Sequence, residues 1–142
     1  MEFIVDTDTQ NWVQFGKTNY NNRYYPVTVN MVNFSLLWNY TTENFVVSSP
    51  AVSNGIVYIG SHDNKTYALN ATNGSLIWNY TTGNIVGSSP AVSNGIVYIG
   101  SDDNQIYALN ASNGSKIWNY TTGNDVSSSP AEIGRASCRE RV

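Results

Sequence analysis

Residues 55–78 read GIVYIGSHDNKTYALNATNGSLIW, and residues 95–118 read GIVYIGSDDNQIYALNASNGSKIW. The second stretch repeats the first with mild changes: Asp102 for His62, Gln105 for Lys65, Ser112 for Thr72. Widened outward, residues 41–80 align on residues 81–120 without a gap, with about 32 identities in 40 positions. Trp38, Trp78 and Trp118 occupy the same place in successive copies, forty apart by subtraction. A period of this length marks a repeat architecture, in which one unit cannot bury its apolar faces alone and stacks on its neighbours.

Inside one unit the apolar and β-branched residues come in short runs, at 55–60, 66–69 and 76–81. Residues 46–52 supply a fourth run, interrupted by Pro50. Proline cannot donate to a ladder, so Pro50 suits a strand start or an edge. Asn54-Gly55 and Asn73-Gly74 are each predicted as tight hairpin turns, since both residue types tolerate positive φ. Residues 62–64 and 102–104 read as polar turns. No stretch sustains a helical period. Four short strands per forty residues predict an all-β chain, a β-propeller of four-stranded blades. The chain holds about two complete repeats, 41–80 and 81–120, with a lead-in segment at 11–40 and the start of a third copy at 121–131.

Composition narrows the function classes. The chain has 142 residues, with Lys+Arg 7 against Asp+Glu 10 and a formal net charge of −3. There is no basic stripe, which argues against a nucleic-acid partner. Charged residues are 12% and aromatic residues 13%, unlike an acidic disordered tail. No apolar run approaches the roughly 18 residues of a transmembrane span. The first ten residues, MEFIVDTDTQ, carry no signal-peptide pattern.

Residues 132–142, EIGRASCRERV, break the repeat abruptly after SSPA. They resemble the translation of a sequencing adapter and are expected to be foreign, so that the native protein continues past Ala131. Setting them aside removes Cys138, the only cysteine, and leaves Lys+Arg 4 against Asp+Glu 8, a net of −4. No disulfide, zinc or cysteine-nucleophile reading then remains.

The two quoted stretches resemble the PQQ repeat of quinoprotein-like β-propellers. The family pattern Ala-x-Asp-x-x-Thr-Gly-x-x-x-Trp is met by Ala68, Asn70, Asn73, Gly74 and Trp78, and again by Ala108, Asn110, Asn113, Gly114 and Trp118. Asn stands for both Asp and Thr, which keeps short polar turn formers in place. Trp12–Gly16, Asn22, Tyr25, Pro26 and residues 37–40 look like the segment that precedes the first full blade in such propellers. WD40 repeats fit less well, because Trp78 and Trp118 are followed by Asn. Kelch repeats are longer, at about 50 residues. The resemblance implies that Trp38, Trp78 and Trp118 pack between neighbouring blades.

The resemblance also implies an activity to be tested. Quinoprotein dehydrogenases hold PQQ and calcium with carboxylates and an Asn, beside a catalytic Asp and often a Cys-Cys pair. No residue of this chain matches those motifs, so no catalytic, cofactor-binding or metal-binding residue is assigned. PQQ and calcium would require further blades. Asp102-Asp103-Asn104 offers hard oxygen donors of the kind calcium takes, but the turn alone accounts for them. Nine Asn-x-Ser/Thr triplets begin at Asn33, Asn39, Asn64, Asn70, Asn73, Asn79, Asn110, Asn113 and Asn119, and copying reduces them to five independent positions. Asn39, Asn79 and Asn119 are the expected glycan acceptors, in keeping with an extracellular or cell-envelope location. The expected function is a non-catalytic surface or secreted binding or scaffold module with a protein or glycan partner. The alternatives are part of a PQQ-dependent dehydrogenase and an outer-membrane-assembly lipoprotein-like scaffold. Exposed blade faces are expected to make the chain self-associate.

Overall fold

The computed structural model describes residues 35–131. Of the lead-in segment only residues 35–40 are included, and the tail 132–142 lies outside the described residues. The first sheet is built of β1 (Ala51–Ser53), β2 (Ile56–Gly60), β3 (Lys65–Asn70) and β4 (Leu76–Thr81), in that order. The second is built of β5 (Ala91–Ser93), β6 (Ile96–Ser101), β7 (Gln105–Asn110) and β8 (Lys116–Thr121), again in order. Every pairing is antiparallel between sequence neighbours. Each forty-residue repeat thus yields one four-stranded meander, the form of a propeller blade.

The turns divide into two kinds. Ser53 pairs with Ile56, so Asn54 and Gly55 alone connect β1 to β2, with φ of 50° and 73°. Two positive φ values in a two-residue loop match the twist of the flanking strands. Asn94 and Gly95 repeat the arrangement at 49° and 75°. The other Asn-Gly pair behaves differently from its sequence expectation. Of Asn73 and Gly74 only Gly74 has positive φ, at 71°. Asn70 intervenes: its Oδ1 accepts the N–H of Thr72 and of Asn73, and its N–H donates to the Ser75 carbonyl. That side-chain turn makes a wider loop, with Gly74 N–H closing it onto the Asn70 carbonyl at 2.8 Å.

The innermost strand is shorter than the run 46–52 suggested, since only Ala51–Ser53 pair. Before Pro50 the ladder is replaced by a side chain. Ser48 Oγ donates to the Gly60 carbonyl at 2.8 Å and accepts the Gly60 N–H at 2.8 Å. Ser88 does the same for Gly100, at 2.8 and 2.7 Å.

The near-continuous apolar run of β2 is explained by burial on both faces. Val57 and Ile59, with Tyr67 and Leu69 of β3, face Trp38, Tyr40 and Val46. Tyr58, with Ala68 and Trp78, faces the second sheet and packs with Val97, Ile99, Tyr107 and Leu109. Val86, from the link between the sheets, is fully buried in this second cluster. The core therefore lies between sheets, and neither sheet has a core of its own.

Candidate functional site

The most elaborated chemistry of the described residues is at the seam where one repeat meets the next. Trp78, on β4, lays its indole over Gly114 of the following repeat. A Cβ at Gly114 would stand 2.6 Å from Trp78 Cδ2 and Cε3. Only glycine leaves that space, and its φ of 71° is one that side chains disfavour. The indole N–H donates to the Ala111 carbonyl at 2.9 Å, and Tyr58 O–H donates to the same oxygen at 3.1 Å. The Tyr58 and Trp78 rings are 5.9 Å apart and tilted. One repeat earlier, Trp38 sits over Gly74 and donates to the Ala71 carbonyl at 2.9 Å.

The link between sheets forms the second part of the seam. Val86 crosses Gly60, where an added Cβ would lie 2.6 Å from Val86 Cγ1. Val126, at the start of the third copy, crosses Gly100 in the same way at 2.5 Å. Towards the inner strands Ser49 N–H donates to Ser89 Oγ, and Ser89 N–H to Ser129 Oγ, each at 2.8 Å. The third copy is thus already docked where it begins.

An aspartate makes the third part. Asp103 Oδ2 accepts the Gly83 N–H at 2.7 Å and the Tyr107 O–H at 2.6 Å, while Oδ1 accepts the Gln105 N–H at 3.1 Å. Asp63 accepts from Glu43 N–H, Tyr67 O–H and Lys65 N–H in the same pattern. Burial, reinforced by the hydrogen bond to Asp63, pushes the Tyr67 hydroxyl far above the usual tyrosine range. Burial and Asp103 do the same to Tyr107. Burial also raises Tyr58, and burial with the nearby Asp103 charge raises Tyr80.

The sequence-assigned positions fall into this frame. Ala68 and Ala108 are fully buried on β3 and β7. Asn70 and Asn110 cap the wide loops, and Asn73 and Asn113 each accept the N–H two residues on. Trp38, Trp78, Gly74 and Gly114 form the seats just described, whereas Trp118 finds none. Its exposure is 43% against 7% for Trp78. Asn39, Asn79 and Asn119 are exposed, the last two on the final strands of their sheets. Sequence reasoning placed Asp63 and Asp103 in polar turns without their role in joining the sheets, and passed over Ser48 and Ser88. The available signal was their identity in both copies while their neighbours at 62/102, 65/105 and 47/87 changed.

The carboxylates of the 102–104 turn are already engaged. Calcium takes 6–8 converging oxygen ligands. Asp103 has both oxygens committed to the staple, and Asp102 Oδ1 accepts from Ser127 Oγ at 3.2 Å. Among the described residues no group of three His, Cys, Asp or Glu is placed to hold a metal. An open cleft of about 410 Å³ lies beside Trp38, Tyr40, Val46, Ile59 and Leu69. These residues belong to the cluster that packs on the outer face of the first sheet.

Comparison with known proteins settles the lineage. The family model described as outer membrane protein assembly factor BamB, a PQQ-repeat model, matches residues 28–137. The chain belongs to the PQQ-repeat β-propeller family. Solved PQQ-type propellers resemble it in fold. BamB from Moraxella catarrhalis is 20% identical with a TM-score of 0.62, over 70% of this chain and 31% of that one. The quinohemoprotein alcohol dehydrogenase ADHIIG from Pseudomonas putida HK5 is 26% identical with a TM-score of 0.62, over 70% and 17%. A europium-containing methanol dehydrogenase is 20% identical with a TM-score of 0.57, over 62% and 19%. This PQQ-repeat chain spans less than a third of the length of each. No curated protein matches it.

Proposed function

We propose that this chain is part of a non-catalytic PQQ-repeat propeller acting as a binding or scaffold module in the cell envelope. One observation carries the reading: the aspartates and serines that both repeats share at 63/103 and 48/88 are spent on building and joining the blades. Asp63 and Asp103 tie a turn to the incoming link, and Ser48 and Ser88 complete an interrupted ladder. The raised Tyr67 and Tyr107 hydroxyls already donate to those aspartates. A perturbed group inside a closed hydrogen-bond network serves structure, whereas a catalytic one faces a cleft. The family description and the Moraxella catarrhalis relative support an envelope location and protein partners.

The rival is a quinoprotein dehydrogenase, supported by the 26% identity to the quinohemoprotein alcohol dehydrogenase. Its calcium and PQQ ligands would have to come from outside the described residues. The full-length protein decides between them. It should fractionate with the envelope and take up no PQQ in the presence of calcium and a dye acceptor. Saturable PQQ uptake with dye reduction replaces the scaffold reading with the enzyme. Recovery in the cytosol overturns the envelope location.

A further inference from the structure

Three of the nine Asn-x-Ser/Thr triplets share one place in the repeat: Asn39-Tyr40-Thr41, Asn79-Tyr80-Thr81 and Asn119-Tyr120-Thr121. Their Asn and Thr residues are all exposed. The other described triplets are placed differently. Thr66, which completes the triplet of Asn64, is fully buried. Asn70, Asn73, Asn110 and Asn113 have their carboxamide oxygens engaged in the loops that seat the tryptophans.

The strands that carry Asn79 and Asn119 are edge strands, each last in its sheet. An edge strand presents unpaired backbone groups and is normally blunted by charge, proline or a bulge. β4 reads LIWNYT and has neither charge nor proline, and β8 reads KIWNYT with a single lysine at its start; each carries one bulge near its start, at Ile77 and Ile117, and the four residues beyond it, 78–81 and 118–121, pair regularly. Leu76 and Ile77 are exposed on β4, as are Ile117 and Tyr120 on β8. Such edges invite strand addition at a spacing of about 4.8 Å. A hydrated oligosaccharide in mid-strand leaves no room at that spacing. Among the described residues Asn79 Nδ2 makes no hydrogen bond. Its counterpart Asn119 donates to Gln105, but Lys65 replaces that glutamine and pairs with Glu43 at 3.1 Å.

We propose that Asn79 and Asn119 are N-linked glycan acceptors whose sugars guard the outer edges of the blades, and that Asn39, at the same place in the repeat, is a third acceptor. The donor is a lipid-linked oligosaccharide with a phosphorylated anomeric carbon. The asparagine Nδ2 forms a C–N bond to that carbon and gives up one proton. The C–O bond to the lipid phosphate breaks, and the phosphate leaves with the electron pair. Nothing is oxidised or reduced. The proposal rests on the envelope reading, because such donors are membrane lipids.

The test is mass spectrometry of peptides from the protein purified out of its native cells, after fractionation has located it. Peptides bearing Asn79 and Asn119 should carry a sugar increment. The increment on Asn79 should vanish in both Asn79→Gln and Thr81→Ala, the second of which keeps the asparagine. Unmodified Asn79 and Asn119 in envelope-located protein overturn this inference and leave the scaffold reading standing. Cytosolic protein overturns both. Sugar confined to the loop asparagines, such as Asn73, overturns the edge-guarding role.

Discussion

Thr66 Oγ1 is a buried side-chain oxygen with no hydrogen-bond partner among the described residues. The second repeat has Ile106 at the same place. An orphaned buried hydroxyl costs about 1–3 kcal/mol. Thr66→Val, which keeps the shape and discards the hydroxyl, should therefore raise stability by about 1 kcal/mol, read as a later denaturant midpoint at unchanged slope. Gly114 is the opposite case. Gly114→Ala sets a Cβ against the Trp78 ring and forces a side chain into positive φ. A loss of about 2–4 kcal/mol is expected from the overpacking and the strain together. The tyrosine–aspartate staples predict the response to alkali. Tyr67 and Tyr107 have folded pKa values above the unfolded value of about 10. Their contribution is whole below about pH 10 and is lost as pH rises from there towards the folded pKa, because the unfolded chain then releases protons that the fold retains. Unfolding followed by circular dichroism should show stability falling above about pH 10, and Tyr107→Phe should flatten that fall.

Among the strands, legibility followed burial. β2 and β3 stood out because alternate side chains go to two covered faces, which leaves runs such as IVYI in the sequence. β1 was overread, since Val46 and Val47 look like strand residues but precede a proline that ends the ladder. Asn73-Gly74 was taken for a two-residue turn, because sequence spacing does not reveal that Asn70 folds back on the loop first. The staples were invisible for a similar reason: Gly83 and Asp103 are twenty residues apart and meet only once the blade forms. The two equivalent tryptophans of β4 and β8 give an internal control. Trp78→Ala should cost about 3–5 kcal/mol, as a buried aromatic does. Trp118→Ala should cost much less in this chain, because no Gly-Ala seat covers it. Equal losses measured in the two variants would sink the idea that the following repeat creates the site.

Among the described residues the stack of sheets is open at one end. Ile117, Trp118 and Tyr120 stand exposed on β8, and the equivalent face of the first sheet is covered by the second. A second copy cannot close this face in the native way, because its Gly74 seat already holds its own Trp38. The exposed apolar face should instead drive non-native association, seen by analytical ultracentrifugation as mass that grows with concentration. A longer chain with a complete third repeat should bury Trp118, observable as a blue shift of its fluorescence. A concentration-independent monomer of the present chain would contradict this account. One feature of the seams reaches beyond the folded molecule. The links at Val86 and Val126 clasp the blade before them, and Trp38 and Trp78 are seated in the blade after them. The units are also nearly identical. A gene of this kind can slip by one period during copying, gain or lose a whole blade in a single event, and leave every joint matched. Only ring closure would register the change in number.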